Sequence, residues 1–350
     1  MKKNGQKVLL GMSGGVDSCV SAALLKKQGF DVRGVYLQMW KVDEEKSNKK
    51  AIRDAQKIAK ILDIPLEIVD VRKKFKKEVV GYFLKEYIAG RTPNPCVFCN
   101  ENLKFKTLFE IADKLGIDYI STGHYARIIK KKKYQLLEAR DKNKDQSYFL
   151  YRLKQEQLAR IIFPLGEIEK NETRKLAKKF GLPVFDKAES QDICFLANMP
   201  VEEFLTKNIK LKKGEIKNTK GEIIGEHLGL SLYTLGQRKG INIGGTGPYY
   251  VTKRDIVKNC LVVTNKKEDL SLFSKFVNLE ELNWILAVPK FPAKVLARIR
   301  YRSSLIPVVI KKQKNGCQVI FDEIQRAVTS GQSIVFYNKK SEILGGGIIK

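Results

Sequence analysis

Three cysteines are the residues of this 350-residue chain whose types and spacing most directly suggest chemistry. Cys96 and Cys99 stand at C-x-x-C spacing within Gly90-Arg91-Thr92-Pro93-Asn94-Pro95-Cys96-Val97-Phe98-Cys99-Asn100, and Cys194 lies in Glu189-Ser190-Gln191-Asp192-Ile193-Cys194-Phe195. Thiols on separate segments can carry sulfur and exchange disulfides. The competing readings are a buried, inert pair and a core-filling Cys194. A structural zinc site would want a second C-x-x-C or a His pair, and the sequence has neither. Prolines at 93 and 95 predict a stiff loop rather than helix or central strand. That loop would present its two cysteines just before a helix N-terminus, where thiolate is favoured. Cys19, Cys260 and Cys317 fall in apolar-periodic segments or strands and read as core thiols.

A second candidate is Leu9-Leu10-Gly11-Met12-Ser13-Gly14-Gly15-Val16-Asp17-Ser18. The apolar run Val8 to Leu10 leads into small residues, and Val16, Val20, Ala23 and Leu24 follow on one helical face up to Gly29. This is strand, tight turn, helix. Such a turn gathers backbone N–H groups at the positive end of a helix and binds phosphate oxygens. No Lys follows the glycines, which excludes a Walker A loop, and the dinucleotide fingerprint G-x-G-x-x-G also fails. What remains, S-G-G-V-D-S, resembles the pyrophosphate loop of the ATP pyrophosphatase enzymes.

The elements that must position these groups alternate. Val32–Leu37, Leu66–Val69 and Tyr119–Gly123 read as strands; Ala51 to Leu62 and Leu103 to Leu115 carry apolar residues at helical spacing. That order predicts an α/β fold with a doubly wound parallel sheet, whose ligands bind beyond the carboxyl ends of the strands. The turn at Ser13 and the strand end at Gly123-His124 both fall there. Four lysines between Ile129 and Tyr134 mark a hairpin tip, and Gly181-Leu182-Pro183 closes a further helix. Near Pro200 the composition shifts. Thr206 to Lys220 is Lys-rich, and turns at Gly221, Gly225, Gly229, Gly236, Gly240, Gly244, Gly245 and Gly247 separate short apolar runs, as in a small β-rich domain. Beyond about residue 275, alternating runs predict a second β unit, plausibly a barrel. Alternation there would put Arg298, Arg300 and Arg302 on one face, either solvated or tracking phosphates.

The formal net charge is +28, from 66 Lys+Arg against 38 Asp+Glu. This suits a polyanionic partner whose affinity falls steeply with salt, although a Lys-rich surface alone would give the same count. No apolar run approaches a membrane span, and the first residues run straight into a strand without a signal-peptide pattern. Six cysteines without framework spacing suggest a reducing compartment. A cytoplasmic, non-membrane protein is expected.

SGGVDS, GRTPNPC-x-x-CN, STGHYAR, KDQSYFL, ESQDICF, YTLGQRKG, ARIRYR and GQSIVFY occur in this order. Together they resemble the bacterial tRNA-specific 2-thiouridylase family nearly end to end. The resemblance implies an ATP pyrophosphatase-like catalytic domain over residues 1–203, a small β-rich tRNA-binding domain over 204–276 and a β-barrel over 277–350. It implies ATP bound by Gly11, Met12, Ser13, Gly14, Gly15, Val16, Asp17, Ser18 and Gly123, with Leu37 near the adenine and Mg²⁺ on the phosphates. Asn94, Pro95 and Cys96 fall where the family meets the target base. Cys99 and Cys194 match its catalytic thiols. His124, Lys144, Asp145, Gln146, Arg300, Tyr301 and Gln332 match tRNA-contacting positions, although His124 could equally act as a general base. His227 reads as structural.

The implied partners are a tRNA with a wobble uridine and a sulfur-donor protein, either a cysteine desulfurase or a sulfur relay carrier. The implied chemistry adenylates C2–O of uridine, then moves sulfur from a persulfide on Cys194, with Cys99 closing a disulfide. One departure stands out: many members carry Asp where this chain has Cys96. Three thiols, Cys96, Cys99 and Cys194, could then hold an iron–sulfur cluster as an alternative sulfur carrier. Two rival readings are another adenylating enzyme acting on a small molecule and a non-catalytic RNA-binding protein with a relict nucleotide loop.

Overall fold

The computed structural model describes residues 5–42, 44–187, 193–241, 243–244 and 248–350, with backbone alone at 44–47. Glu189, Ser190, Gln191, Asp192, Gly245 and Gly247, all named from the sequence, lie outside the described residues. Strands β1 (Lys7–Gly11), β2 (Asp31–Gln38), β3 (Leu66–Asp70), β4 (Tyr119–Thr122), β5 (Ala126–Lys130), β6 (Tyr134–Glu138) and β7 (Ile161–Ile162) come first in the chain. Five of them form one sheet in the order β3-β2-β1-β4-β7, with every pairing parallel.

The sequence makes β1 the centre. Val8, Leu9 and Leu10 are all fully buried; Leu9 packs into one core while Val8 and Leu10 pack into the core on the opposite face. An apolar run without polar alternation is what a strand covered by helices on both sides requires. Helix α1 (Val16–Lys27) covers one face with Val16, Cys19, Val20 and Leu25, and helix α2 (Glu44–Ile61) packs Ile58 and Ala59 onto the same side. The doubly wound α/β expectation therefore holds, with the switch point at the end of β1.

The remaining strands are β8 (Gly214–Asn218), β9 (Ile223–His227), β10 (Tyr250–Asp255), β11 (Cys260–Thr264), β12 (Phe273–Trp284), β13 (Ala293–Arg298), β14 (Ile306–Gln313), β15 (Gly316–Arg326), β16 (Ser333–Tyr337) and β17 (Glu342–Ile349). β10-β11-β8-β9 is a small sheet around Ile216, Val251, Leu261 and Val263. β12-β15-β14-β13-β16-β17 closes through a β12–β17 pairing into a six-stranded antiparallel barrel. Cys19, Cys260, Cys317 and His227 are buried.

The hairpin at the Lys-rich tip, β5–β6, does not stay with its own sheet. β6 pairs with β17, so a ribbon from the amino-terminal part extends the barrel's sheet. Charge and aromatics seal the junction. Arg298 Nη2 reaches Glu138 Oε1 at 2.7 Å, and the Tyr148 hydroxyl donates to the Ser333 carbonyl at 2.8 Å.

Two sequence expectations are corrected here. The segment after Pro93 is helical: Pro95–Cys99, a π-type stretch Asn100–Phe105 and Lys106–Lys114 run on without a break. Pro95 occupies the first helical position, where a missing N–H costs nothing, so proline begins this helix rather than excluding it. The arginines of 298–302 also do not share a face. β13 ends at Arg298, whose guanidinium is buried against Glu138, whereas Arg300 and Arg302 sit in the turn beyond, Arg302 at φ 62°.

Asp145, only 2% exposed, braces this junction. Its Oδ1 accepts from the Ala139 and Ser147 N–H groups and Oδ2 from the Ser147 hydroxyl. Burial pushes its carboxyl up to about 6. A carboxyl raised in the folded state destabilises the fold as it ionises. The stability of wild type relative to Asp145→Asn is therefore expected to fall by about 2 kcal/mol between pH 4 and 6. Urea denaturation of both proteins across that range checks this; a flat difference would contradict it.

Candidate active site

The nucleotide-type turn is built by close approach. Gly14 adopts φ +72°, and a Cβ there would lie 2.5 Å from the Ala51 carbonyl oxygen on α2. At Gly123, just after β4, a Cβ would lie 2.8 Å from Ser18 N and 2.9 Å from Asp17 C. Only residues without side chains let α1 begin this tightly between β4 and α2. The Ser18 hydroxyl braces the turn from within, accepting from Ser13 N at 3.1 Å and donating to the Gly15 carbonyl at 3.1 Å. Met12 N donates to Val35 O at 2.8 Å, and the Met12 side chain lies over Gly34. The first N–H groups of α1 have no partner within the helix and face a turn of small residues. That arrangement can hold phosphate oxygens. Leu37 sits two residues beyond Val35, which pairs with Gly11, and packs half-buried at the same edge.

Two lysines missed in the sequence flank this turn. Lys170 Nζ donates to Asp17 Oδ1 at 2.5 Å, an oxygen that also accepts from the Tyr125 hydroxyl at 2.9 Å. Lys187 Nζ donates to the Gly14 carbonyl at 2.8 Å and pairs with Asp54 at 2.6 Å. In a chain with this many lysines, nothing local marked these two.

The thiols occupy the carboxyl edge of the same sheet. Asn94 caps the cysteine helix, its Oδ1 accepting from Val97 N at 3.3 Å. That turn carries a half-buried Cys96 and a buried Cys99, while Cys194 is exposed. Burial pushes Cys96 up to about 11 and Cys99 up to about 12. Desolvation raises Cys194 as well, although this residue is exposed. The expectation that the helix N-terminus favours thiolate is thus corrected: burial outweighs the helix end in the resting protein.

One cation opposes burial at all three. Lys104 lowers Cys96, Cys99 and Cys194 alike, and is itself fixed by Asn100 Oδ1 at 2.9 Å, with Asn100 Nδ2 donating to Phe149 O at 3.1 Å. Lys41 also lowers Cys194, and is itself lowered by burial. Neither Lys104 nor Lys41 was found from sequence; the spacing of Lys104, five residues after Cys99, was the available signal. Among the described residues no three His, Cys, Asp or Glu side chains are gathered to hold one metal ion.

His124 Nδ1 lies 2.7 Å from Thr122 Oγ1, with its ring against Phe105 and Phe163. Burial, then Lys104, holds its pKa well below the usual value, so it is a neutral hydrogen-bonding group. The other residues matched to RNA contact divide. Gln332 Nε2 donates to Thr92 O at 2.9 Å and Pro93 O at 3.3 Å, while Thr92 N donates to Ser330 O at 2.8 Å. A barrel turn thereby clasps the loop that carries Asn94 and Pro95. Gln146 Oε1 accepts from Tyr125 N at 3.0 Å, and the Tyr301 ring packs tilted against Phe149 with centroids 4.4 Å apart. Asp145, Gln146 and Gln332 hold backbone in place, whereas Lys144 and Arg300 are partly open to solvent.

Residues 6–198 match the family model described as a tRNA methyl transferase HUP domain, residues 202–265 its PRC-barrel domain, and residues 274–349 an aminomethyltransferase beta-barrel domain. Sheet, loop and barrel thus define a HUP-domain protein with two appended β units. The tRNA-specific 2-thiouridylase MnmA of Nitrosomonas eutropha is 45% identical, covering 99% of both chains. Those of Neisseria meningitidis and Chromobacterium violaceum are each 44% identical over 99% of this chain, covering 96% and 92% of their own. The chain belongs to the tRNA-specific 2-thiouridylase family, in agreement with the motifs.

Exposure and charge set an order of thiol reactivity. At neutral pH Cys194 is expected to be alkylated first, Cys96 more slowly and Cys99 only on unfolding. Lys104→Met is expected to slow the Cys194 reaction at least about threefold by removing the cation that favours its thiolate. Peptide mass spectrometry of a timed iodoacetamide reaction reads both; early labelling of Cys99 would contradict the burial argument.

Proposed function

We propose that this protein is an ATP-dependent tRNA sulfurtransferase that makes 2-thiouridine at the wobble position. The observation that carries the reading is the end-to-end family match, 45% identity over 99% of both chains to a tRNA-specific 2-thiouridylase, joined to a turn of small residues braced by Ser18 with Lys187 on the Gly14 carbonyl. The uracil C2 oxygen is a poor leaving group. It attacks the α-phosphorus of ATP, and pyrophosphate departs into the turn at Ser13–Ser18, where backbone N–H groups and Lys170 offset its charge. A Mg²⁺ ion fits beside Asp17, whose two protein contacts both fall on Oδ1 and leave the second oxygen available; when bound it neutralises phosphate charge.

The outer sulfur of a persulfide on Cys194 then attacks C2, and AMP leaves. The Cys99 thiolate attacks the Cys194 sulfur, the electron pair passes to the sulfur on C2, and 2-thiouridine is released. The resulting Cys99–Cys194 disulfide needs two electrons from an external dithiol. Lys104 supports the thiolate forms throughout, and neutral His124 can accept or donate a hydrogen bond near the base. The uridine must leave the anticodon stack to reach this cleft. Residues 1–203 carry the chemistry, and 204–276 with 277–350 hold the RNA. The donor of the persulfide is a cysteine desulfurase or a sulfur carrier, and the reaction takes place in the cytoplasm.

Single-turnover assays with unmodified tRNA, ATP and a persulfide donor test this. Cys194→Ala is expected to abolish 2-thiouridine while pyrophosphate release persists, and Cys99→Ala to stall after sulfur attachment. Cys96→Ala is expected to retain activity. Absence of tRNA-dependent pyrophosphate release from wild type would overturn the proposal.

A further inference from the structure

Between the four-stranded sheet and the barrel lies a cavity of about 560 Å³, lined by Thr234, Gly236, Gln237, Arg300, Arg326 and Ala327. No carboxylate lines it among the described residues. Arg326 ends β15, and its guanidinium sits over the Tyr250 ring, 5.1 Å from the centroid. Its Nε and Nη2 are buried and make no hydrogen bond. No acidic side chain among the described residues pairs with it. Arg300 is satisfied only by backbone, its Nη2 donating to the Arg326 carbonyl at 3.0 Å and reaching the Ala327 carbonyl at 3.4 Å.

Arg326 is half-buried, and two buried guanidinium nitrogens without an acceptor are unfavourable; a protein stabilised only by its own contacts would pair or replace them. The walls are firm. A Cβ on Gly236, at φ +79°, would lie 2.5 Å from Ala327 Cβ, and Ala327 N donates to Leu272 O at 2.7 Å. Gly236 N likewise donates to Val251 O of β10, and Val251 N donates back to Gln237 O. Exposed Arg238 and Lys239 continue the positive rim. The cavity is larger than a lone ion needs and suits one nucleotide unit of a chain.

We propose that this cavity is a phosphodiester subsite for the RNA substrate, with the unpaired guanidinium of Arg326, beside Arg300, as the group that receives the phosphate. The inference rests on the tRNA-thiolation reading above. Turning from the Tyr250 face toward an incoming phosphate gives Arg326 the acceptor it lacks, and an Arg–phosphate pair is geometrically suited to two parallel bonds. The contact is to backbone, so it sets the position of the RNA rather than reading its sequence.

The test measures the affinity of unmodified wobble-uridine tRNA for wild type, Arg326→Met and Arg326→Lys across a salt series. It also measures the melting temperature of each protein alone and with inorganic phosphate. Arg326→Met is expected to weaken tRNA about tenfold, to reduce the slope of log affinity against log salt by about one, and to melt no lower than wild type. Arg326→Lys is expected to restore most of the slope. Unchanged affinity and slope in Arg326→Met would overturn the subsite. A lower melting temperature accompanying the lost affinity would overturn it too, making Arg326 a structural cation. Stabilisation of wild type by inorganic phosphate, with tRNA affinity unchanged in the variant, would assign the cavity to a free anion and overturn the RNA assignment. Failure of wild type itself to bind tRNA would instead bring down the thiolation reading, and the subsite with it.

Discussion

The amino end of one helix is held where no side chain would fit. α1 starts against the Ala51 carbonyl on one side and the β4 exit on the other, and both contacts exist because Gly14 and Gly123 lack a Cβ. The whole arrangement around the Ser13–Ser18 turn depends on that approach. It sets the Ser13–Ser18 bracing, brings Lys187 onto the Gly14 carbonyl, and leaves Asp17 facing Lys170 and Tyr125. The parallel sheet makes the approach possible. β1 and β4 end side by side at Gly11 and Thr122, level with Val35 of β2, which runs three residues further.

The thiol cleft is organised by an opposition between burial and charge. Desolvation holds Cys96, Cys99 and Cys194 as neutral thiols, and Lys104 works against it at each. The resting state therefore guards its sulfur chemistry, since a neutral thiol is a poor nucleophile and a poor target for oxidants. Polyanionic RNA entering the cleft would alter this balance, and the π-type turn that carries Lys104 sits within the helix bearing both thiols. Irregular helical turns of this kind are common where a side chain must point away from its regular position.

The sequence was most legible where local pattern and global fold agree. An unbroken apolar run marked β1, period-3.6 repeats marked α2, and the SGGVDS hexapeptide stood at the strand–helix junction where it belongs. It misled at Pro95, where one residue type serves both loops and first helical positions, and Asn94 as a cap was the deciding signal. It misled again at Arg298, because alternation cannot tell that a strand ends and that Glu138, far back in the chain, will cover its last residue. Lys170, Lys187 and Lys104 were illegible for a different reason. Against 66 basic residues a single functional lysine has no contrast, and only the fold singles it out. Several residues matched to RNA contact turned out to hold backbone, among them Gln332, whose amide reaches two carbonyls of the proline loop.

The ribbon β5–β6 leaves the parallel sheet after β4 and hydrogen-bonds to the last strand of the barrel. A boundary drawn along the chain therefore cuts through a shared sheet. An amino-terminal fragment ending before the barrel would expose the backbone edge of β6, and the missing partner would leave Glu138 and Asp145 buried without Arg298. Edges of that sort invite aggregation. The same pairing ties the ribbon that follows β4 to the last barrel strand by backbone hydrogen bonds, so the two units are joined by shared sheet as well as by the chain between them.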